Sequence, residues 1–217
     1  MVPGDFSIQA QCTSLIDTAV ASMGGLDVLV NNAGVSMHAW FEDITDLDTF
    51  ERLFRINAMS AVWLTHRALP TLRQSKGLIV GVSSLAGKTG VPARTTYCTS
   101  KFAMSGFFEA LRIELMGSGV DVSMIFPGVV ATEIRRNGLN ARGERAGVSG
   151  LAEKAAMTLE QCVSEMVYAM EHRKREHIMT TQGRFGMLLK SLCPGLIDRM
   201  ASKALDSEHG GPKRLRG

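Results

Sequence analysis

Leu26-Asp27-Val28-Leu29-Val30-Asn31-Asn32-Ala33-Gly34 is the stretch that decides the fold. Its first half is a short apolar run rich in β-branched residues. Its second half is a turn of small and amide side chains. Together they read as a buried parallel strand that ends in a turn open to a ligand. Just ahead of it Ile8, Cys12, Leu15, Ile16, Ala19, Val20 and Met23 recur at helical spacing until Gly24-Gly25 stops them, so residues 7–23 read as an amphipathic helix. Beyond it the alternation continues: a long helix over about 46–74, a strand at 77–83, a helix over 96–116 and a strand at 120–126. Thr158-Leu159-Glu160-Gln161 has the form of a capping box and opens another helix. The buried face of that helix is expected to be Leu159, Cys162, Val163, Met166, Val167 and Met170, with the last strand at 177–181. Strands alternating with helices predict an α/β fold, a Rossmann-like doubly wound parallel sheet with helices on both faces.

With 217 residues and 45% hydrophobic content, the chain is long enough for one core and short for two. We expect one domain over 1–203 and a polar tail over 204–217. A net charge of +3, with part of the basic excess in Lys213-Arg214-Leu215-Arg216, is no nucleic-acid footprint. Cys12, Cys98, Cys162 and Cys193 form no C-x-x-C pair and read as idle thiols of a reducing compartment. No stretch approaches the ~18 consecutive apolar residues of a spanning helix. The expectation is a cytoplasmic protein, with a peripheral membrane contact left open by the apolar run Leu188, Leu189, Leu192, Leu196, Ile197 and Met200. That run equally suits a hydrophobic substrate entrance or ordinary packing. Between Arg135 and Ala156 a polar, glycine-rich stretch reads as a lid or an unstructured loop.

Tyr97 and Lys101 stand four apart on a predicted helix and share one face. A free phenol, with a pKa near ~10, is a poor base at neutral pH. An adjacent ammonium favours the phenolate and makes the pair a usable proton donor and acceptor. Ser83-Ser84 ends the strand at 77–83, and in open parallel sheets ligands bind beyond those carboxyl ends. Pro127-Gly128 ends the next strand in the same way. A serine-hydrolase reading of Gly81-Val82-Ser83-Ser84-Leu85 fails because the elbow's second glycine is absent. No metal site is expected: His38, His66, His172, His177 and His209 show no H-x-x-x-H pair.

"NNAG" at 31–34, Asn57 inside the long helix, "SS" at 83–84, "YCTSK" at 97–101 and "PGVVAT" at 127–132 resemble, in order and spacing, the short-chain dehydrogenase/reductase family. The resemblance covers nearly the whole chain. The C-terminal "GRFGMLLKSLCPGLIDRMASKAL" at 183–205 is most similar to the branch containing dehydrogenase/reductase member 7B. The resemblance implies an oxidoreductase that interconverts a hydroxyl and a carbonyl group with NAD or NADP, NADP being favoured, on a small and possibly hydrophobic substrate. It implies Tyr97 as acid/base, Ser84 on the substrate oxygen, Lys101 beneath the tyrosine and on the nicotinamide ribose, and Asn57 anchoring a relay water. It also implies cofactor contacts for Asp5, Asn32, Ala33, Gly34, Pro127, Gly128, Val130 and Thr132, and a homo-oligomer. Asp5 alternatively caps a helix.

The family's usual start of a strand, a glycine-rich turn, a helix and a second strand has no counterpart in the sequence, so the sheet is expected to lack its first βαβ portion. A shortened reading frame or fragment is expected rather than an edge covered by another chain, because the strand at 27–30, Asp27 at its start apart, lacks the charges and prolines that protect natural edges. The alternative to an enzyme is an inactive truncated member serving as an interaction protein.

Overall fold

The structure, a computed structural model, describes residues 2–147 and 156–208. Four parallel strands, β1 (Val28–Asn31), β2 (Leu78–Val82), β3 (Asp121–Phe126) and β4 (Glu176–Ile178), lie side by side in chain order. Their registers pair Val30 with Val80, Val80 with Ser123, and Ile125 with His177. Every crossover is helical: α1 (Gln9–Met23) precedes β1, α2 (Leu47–Phe54) and α3 (Ser60–Ser75) lead to β2, α4 (Thr95–Glu114) to β3, and α5 (Leu159–Glu171) to β4. After β4 come α6 (Thr181–Leu192) and α7 (Pro194–Glu208), so the chain stays helical beyond residue 203. Residues 148–155 of the expected lid and 209–217 of the expected tail lie outside the described residues.

Alternation along the strands divides the core. Leu29, Ile79, Val122, Met124 and Phe126 pack beneath α1, α3 and α4, against Ile16, Leu64, Ala68, Met104 and Phe108. Leu78, Val80, Val82 and Ile125 point the other way, toward Cys162 and Ala169 of α5. The sheet is thus covered on both faces, as the period-2 and period-3.6 patterns require. Gly81 sets the closest approach: a Cβ there would stand 2.5 Å from Met124 Sδ and 2.7 Å from the Phe108 ring. Gly81→Ala is expected to destabilise the domain by about 1–3 kcal/mol through overpacking, measured as a lowered urea midpoint with unchanged slope.

Two sequence expectations need correction. The strand at 26–30 is not buried on both faces: Val28 and Val30 are 44% and 40% exposed, and only Leu29 and Asn31 turn inward. The reason is position, since β1 pairs only with β2 among the described strands. On α5 the capping box forms as expected, with Thr158 Oγ1 accepting from Gln161 N and Gln161 Oε1 accepting from Thr158 N. Its apolar residues, however, split between two sides. Cys162 and Ala169 are buried, whereas Leu159, Val163 and Val167, spaced four apart, are exposed. A helix lying over β2 and β3 turns one narrow stripe inward, and these three lie beside it. The apolar run near the C-terminus divides in the same manner: Leu188, Leu192, Leu196 and Met200 are exposed, while Ile197 lines a cavity.

Candidate active site

The strand ends converge on α4. Its first turns bury Tyr97 and Lys101 on the face that meets β2, and Lys101 Nζ donates to the Val82 carbonyl at 2.8 Å. Helix and strand come this close because of Gly87, in the short 3₁₀ turn Leu85–Gly87 that follows Ser84. A Cβ on Gly87 would stand 2.8 Å from the Lys101 carbonyl oxygen. Ser83 Oγ reaches the same carbonyl at 3.2 Å and lies 3.1 Å from Ser105 Oγ, which pins the strand end to α4. Ser84 is half-buried, its Oγ accepts from Ala86 N at 3.2 Å, and its hydroxyl is near enough to the tyrosine to favour the phenolate.

Burial pushes the Tyr97 phenol above its ordinary range, opposed by the hydrogen bond from Ser84 and then by the cations of Arg94 and Arg135. The sequence argument gave that lowering role to Lys101. In the structure Lys101 is fully enclosed, and burial alone pushes it down to about 8. Its Nζ lies 5.9 Å from the Tyr97 ring centroid. The loss of solvation therefore dominates both groups, and the cations that oppose it at the tyrosine are arginines. Arg94 escaped sequence reading because it stands ahead of the helix pattern; its place three residues before Tyr97 was the available signal.

Asn57 sits in a π-helical turn, Arg55–Met59, that joins α2 to α3. Such turns occur mostly as short bulges, often at functional sites. The turn aims its amide at the end of β1. Oδ1 accepts from Val35 N at 2.7 Å, and Nδ2 donates to the Val35 carbonyl and to Ser100 Oγ, both at 2.9 Å. Ser100 Oγ in turn donates to the Tyr97 carbonyl. The amide thus ties the turn after β1 to the tyrosine's own helix. Gly34 lies at the junction: a Cβ there would stand 3.2 Å from Asn57 Oδ1 and 3.6 Å from Lys101 Nζ.

Asn57, Ser84, Tyr97, Lys101 and Gly34 are therefore brought together at the carboxyl ends of β1 and β2. Pro127 joins them, its carbonyl accepting from Leu85 N at 3.1 Å, and Gly128 packs between Leu85 and Thr180. Val130 pairs with Met157, and Thr132 N donates to the Val130 carbonyl. Asn32 and Ala33 line a separate apolar hollow of about 310 Å³ beside β1. Asp5 is committed elsewhere. Its Oδ1 accepts from Ser7 N and Ser7 Oγ, bonds that hold its carboxyl below the usual range, and its backbone carbonyl accepts from Ile8 N as α1 begins.

A cavity of about 940 Å³ opens beside the 3₁₀ turn through Leu85 and beside the β3 turn through Gly128 and Val129. Met157, Met187 and Ile197 give it apolar walls, while Gln161, Ser164 and Gln182 supply polar ones.

The model of the family described as short chain dehydrogenase matches residues 1–142. A Dictyostelium discoideum dehydrogenase/reductase SDR family protein 7-like is 31% identical over 208 residues, which are 95% of this chain and 64% of that protein. Bos taurus dehydrogenase/reductase SDR family member 7B is 33% identical over 184 residues, 83% of this chain and 56% of the relative. The chain thus spans less than two thirds of the curated relatives it matches. Among solved structures, a Burkholderia cenocepacia short chain dehydrogenase in complex with NADP superposes with a TM-score of 0.77 at 19% identity, covering 92% of this chain and 77% of that one.

Proposed function

Because this chain belongs to the short-chain dehydrogenase family, we propose that it is the catalytic portion of a nicotinamide-dependent oxidoreductase that interconverts a hydroxyl and a carbonyl group on a hydrophobic small molecule. The observation that carries the reading is the convergence of the Ser84 hydroxyl, the Tyr97 phenol and the Lys101 ammonium at the carboxyl ends of parallel strands. A bound nicotinamide supplies or accepts the hydride.

The residues present suit the nicotinamide-ribose end of such a cofactor. Gly34 leaves space directly above Lys101 Nζ, which has donors left after its bond to Val82. Asn32 and Ala33, on the turn after β1, would take the cofactor at the neighbouring hollow, and Val130 and Thr132 would meet it from the turn after β3. The same reading admits NAD or NADP; the Burkholderia cenocepacia neighbour was solved with NADP.

In carbonyl reduction the Tyr97 hydroxyl gives its proton to the substrate oxygen, and in alcohol oxidation it takes that proton back. Ser84 holds the same oxygen by a hydrogen bond and fixes it within reach of the phenol. Lys101 holds the nicotinamide ribose beside the tyrosine, and Asn57 keeps the turn after β1 fixed against α4 through Val35 and Ser100. The large cavity beside Leu85 takes the apolar remainder of the substrate, with Met157, Met187 and Ile197 as its walls.

The test is to supply the intact protein with NADPH or NADH and a series of ketones of increasing apolar bulk, following the loss of reduced nicotinamide. Turnover with kcat/KM rising along the series is expected. Cofactor oxidation indifferent to ketone size would overturn the hydrophobic-substrate reading, and none with any carbonyl would overturn the enzymatic one.

A further inference from the structure

We propose that Arg94 is a positioning residue that holds the Tyr97 ring and stabilises negative charge on its oxygen, and that Ser36 ties this cation to the loop following β3. The inference rests on the acid/base reading of Tyr97. Arg94 is 8% exposed and stands at the N-cap of α4, the helix that carries the tyrosine. Its guanidinium carbon lies 6.0 Å from the Tyr97 ring centroid, nearly the distance of Lys101 Nζ at 5.9 Å. The phenol ring thus has two enclosed cations as neighbours.

The two cations differ in permanence. A guanidinium keeps its proton throughout the working range of an enzyme, whereas burial pushes the Lys101 ammonium down to about 8. Above that pH the guanidiniums persist: Arg94 beside the ring and Arg135, with the Cys98 thiol as the neighbouring group that acts in the opposite sense on the phenol. The planar fork of Arg94 also lets one group do two things. While the guanidinium stays near the ring, Nη1 donates to Ser36 Oγ at 3.1 Å in a buried bond.

Ser36 extends the connection. Its carbonyl accepts from Leu139 N at 2.8 Å, and His38 N donates to the Leu139 carbonyl at 3.0 Å, forming a short parallel bridge between Met37 and Leu139. Gly138 permits the approach, since a Cβ there would stand 2.8 Å from the Ser36 carbonyl oxygen. On the other side Ala39 N donates to the carbonyl of Ala93, the residue just before the arginine, whose φ of 56° is left-handed and rare for a residue with a side chain. Residues 36–39 are therefore clamped between the loop after β3 and the entrance to α4, and Arg94 joins that clamp to the phenol.

The experiment is the pH dependence of kcat and kcat/KM for alcohol oxidation by the intact protein, comparing wild type, Arg94→Gln, Arg94→Lys and Ser36→Ala, with Tyr97→Phe as reference. Arg94→Gln is expected to move the tyrosine-controlled limb upward by about one pH unit or more, the scale of a nearby charge. At a fixed pH below the limb kcat falls ~10-fold, with KM within about twofold. Arg94→Lys is expected to recover most of the shift, and Ser36→Ala to show a smaller shift of the same sign. An unmoved limb in folded Arg94→Gln, or a lysine variant indistinguishable from the glutamine one, overturns the proposal. If Arg94→Gln does not fold, an unmoved limb in Ser36→Ala does so. An active Tyr97→Phe enzyme would instead bring down the acid/base reading itself, whatever the arginine variants show.

Discussion

Tyr97→Phe is expected to remove carbonyl reduction almost entirely while leaving the fold in place. The substitution keeps the ring and therefore its packing against Ala86, Cys98 and Val91. It deletes only the hydroxyl, and one hydrogen-bonding group of this kind is worth about 0.5–1.5 kcal/mol to a fold. Its catalytic worth is of another size. A positioned acid/base contributes ~10²–10⁴-fold, and the two serines at the end of β2 are engaged elsewhere: Ser84 takes the substrate oxygen in this reading, and Ser83 is held by the Lys101 carbonyl and Ser105. The check is paired, with kcat for a ketone substrate beside a thermal melt. Loss of two or more orders of magnitude with a cooperative melt within a few degrees of wild type is the expected outcome. A variant that keeps more than about a tenth of turnover would take the acid/base role from Tyr97.

The prominence of Tyr97 was legible because the information is local. Four residues on a helix bring its side chain to the face of Lys101, and the strand ending at Ser83-Ser84 places a hydroxyl at the right edge of the sheet. The capping box at Thr158 was equally local, and it formed as written. What could not be read depended on partners distant in sequence. Val28 and Val30 have the composition of a core strand, yet exposure depends on what lies alongside β1. Leu159, Val163 and Val167 share a stripe with each other at the right period, but periodicity gives a direction only relative to a neighbour, and α5 turns Cys162 and Ala169 to the sheet instead. Asn57 was placed correctly inside a long helix, while the π turn that aims its amide at Val35 is a property of the backbone that no residue pattern announces. Arg94 lies in the same class, since Ser36 is fifty-eight residues away from it.

Lys101→Met is expected to cost catalysis ~10²-fold or more and yet leave the protein at least as stable at neutral pH. The activity argument is that methionine keeps most of the length of the side chain but carries no charge and no donor, so the hydrogen bonds that the proposed function assigns it to a ribose are lost. The stability argument runs in the opposite direction. Burial takes the lysine from its ordinary 10.5 to about 8, and at about 1.36 kcal/mol per unit this makes the enclosed charge cost about 3 kcal/mol. The depressed folded-state value means that the unfolded chain binds the additional proton between pH 8 and 10.5. The cost is therefore complete below about 8 and fades as the pH rises toward 10.5, so that wild-type stability climbs through this window. Methionine removes the charge and with it the climb, but it leaves the Val82 carbonyl without its 2.8 Å donor, a loss of about 1–3 kcal/mol for a buried polar group. At pH 7 the two effects leave the variant between equal to wild type and about 2 kcal/mol more stable. Near pH 10 the gain is gone, the unpaired carbonyl remains, and the variant falls below wild type. Urea denaturation of both proteins at several pH values checks this. A variant destabilised by more than about 1 kcal/mol at pH 7, with a difference from wild type that does not change between pH 7 and 10, would mean that Lys101 is not an enclosed charge held at the expense of the fold.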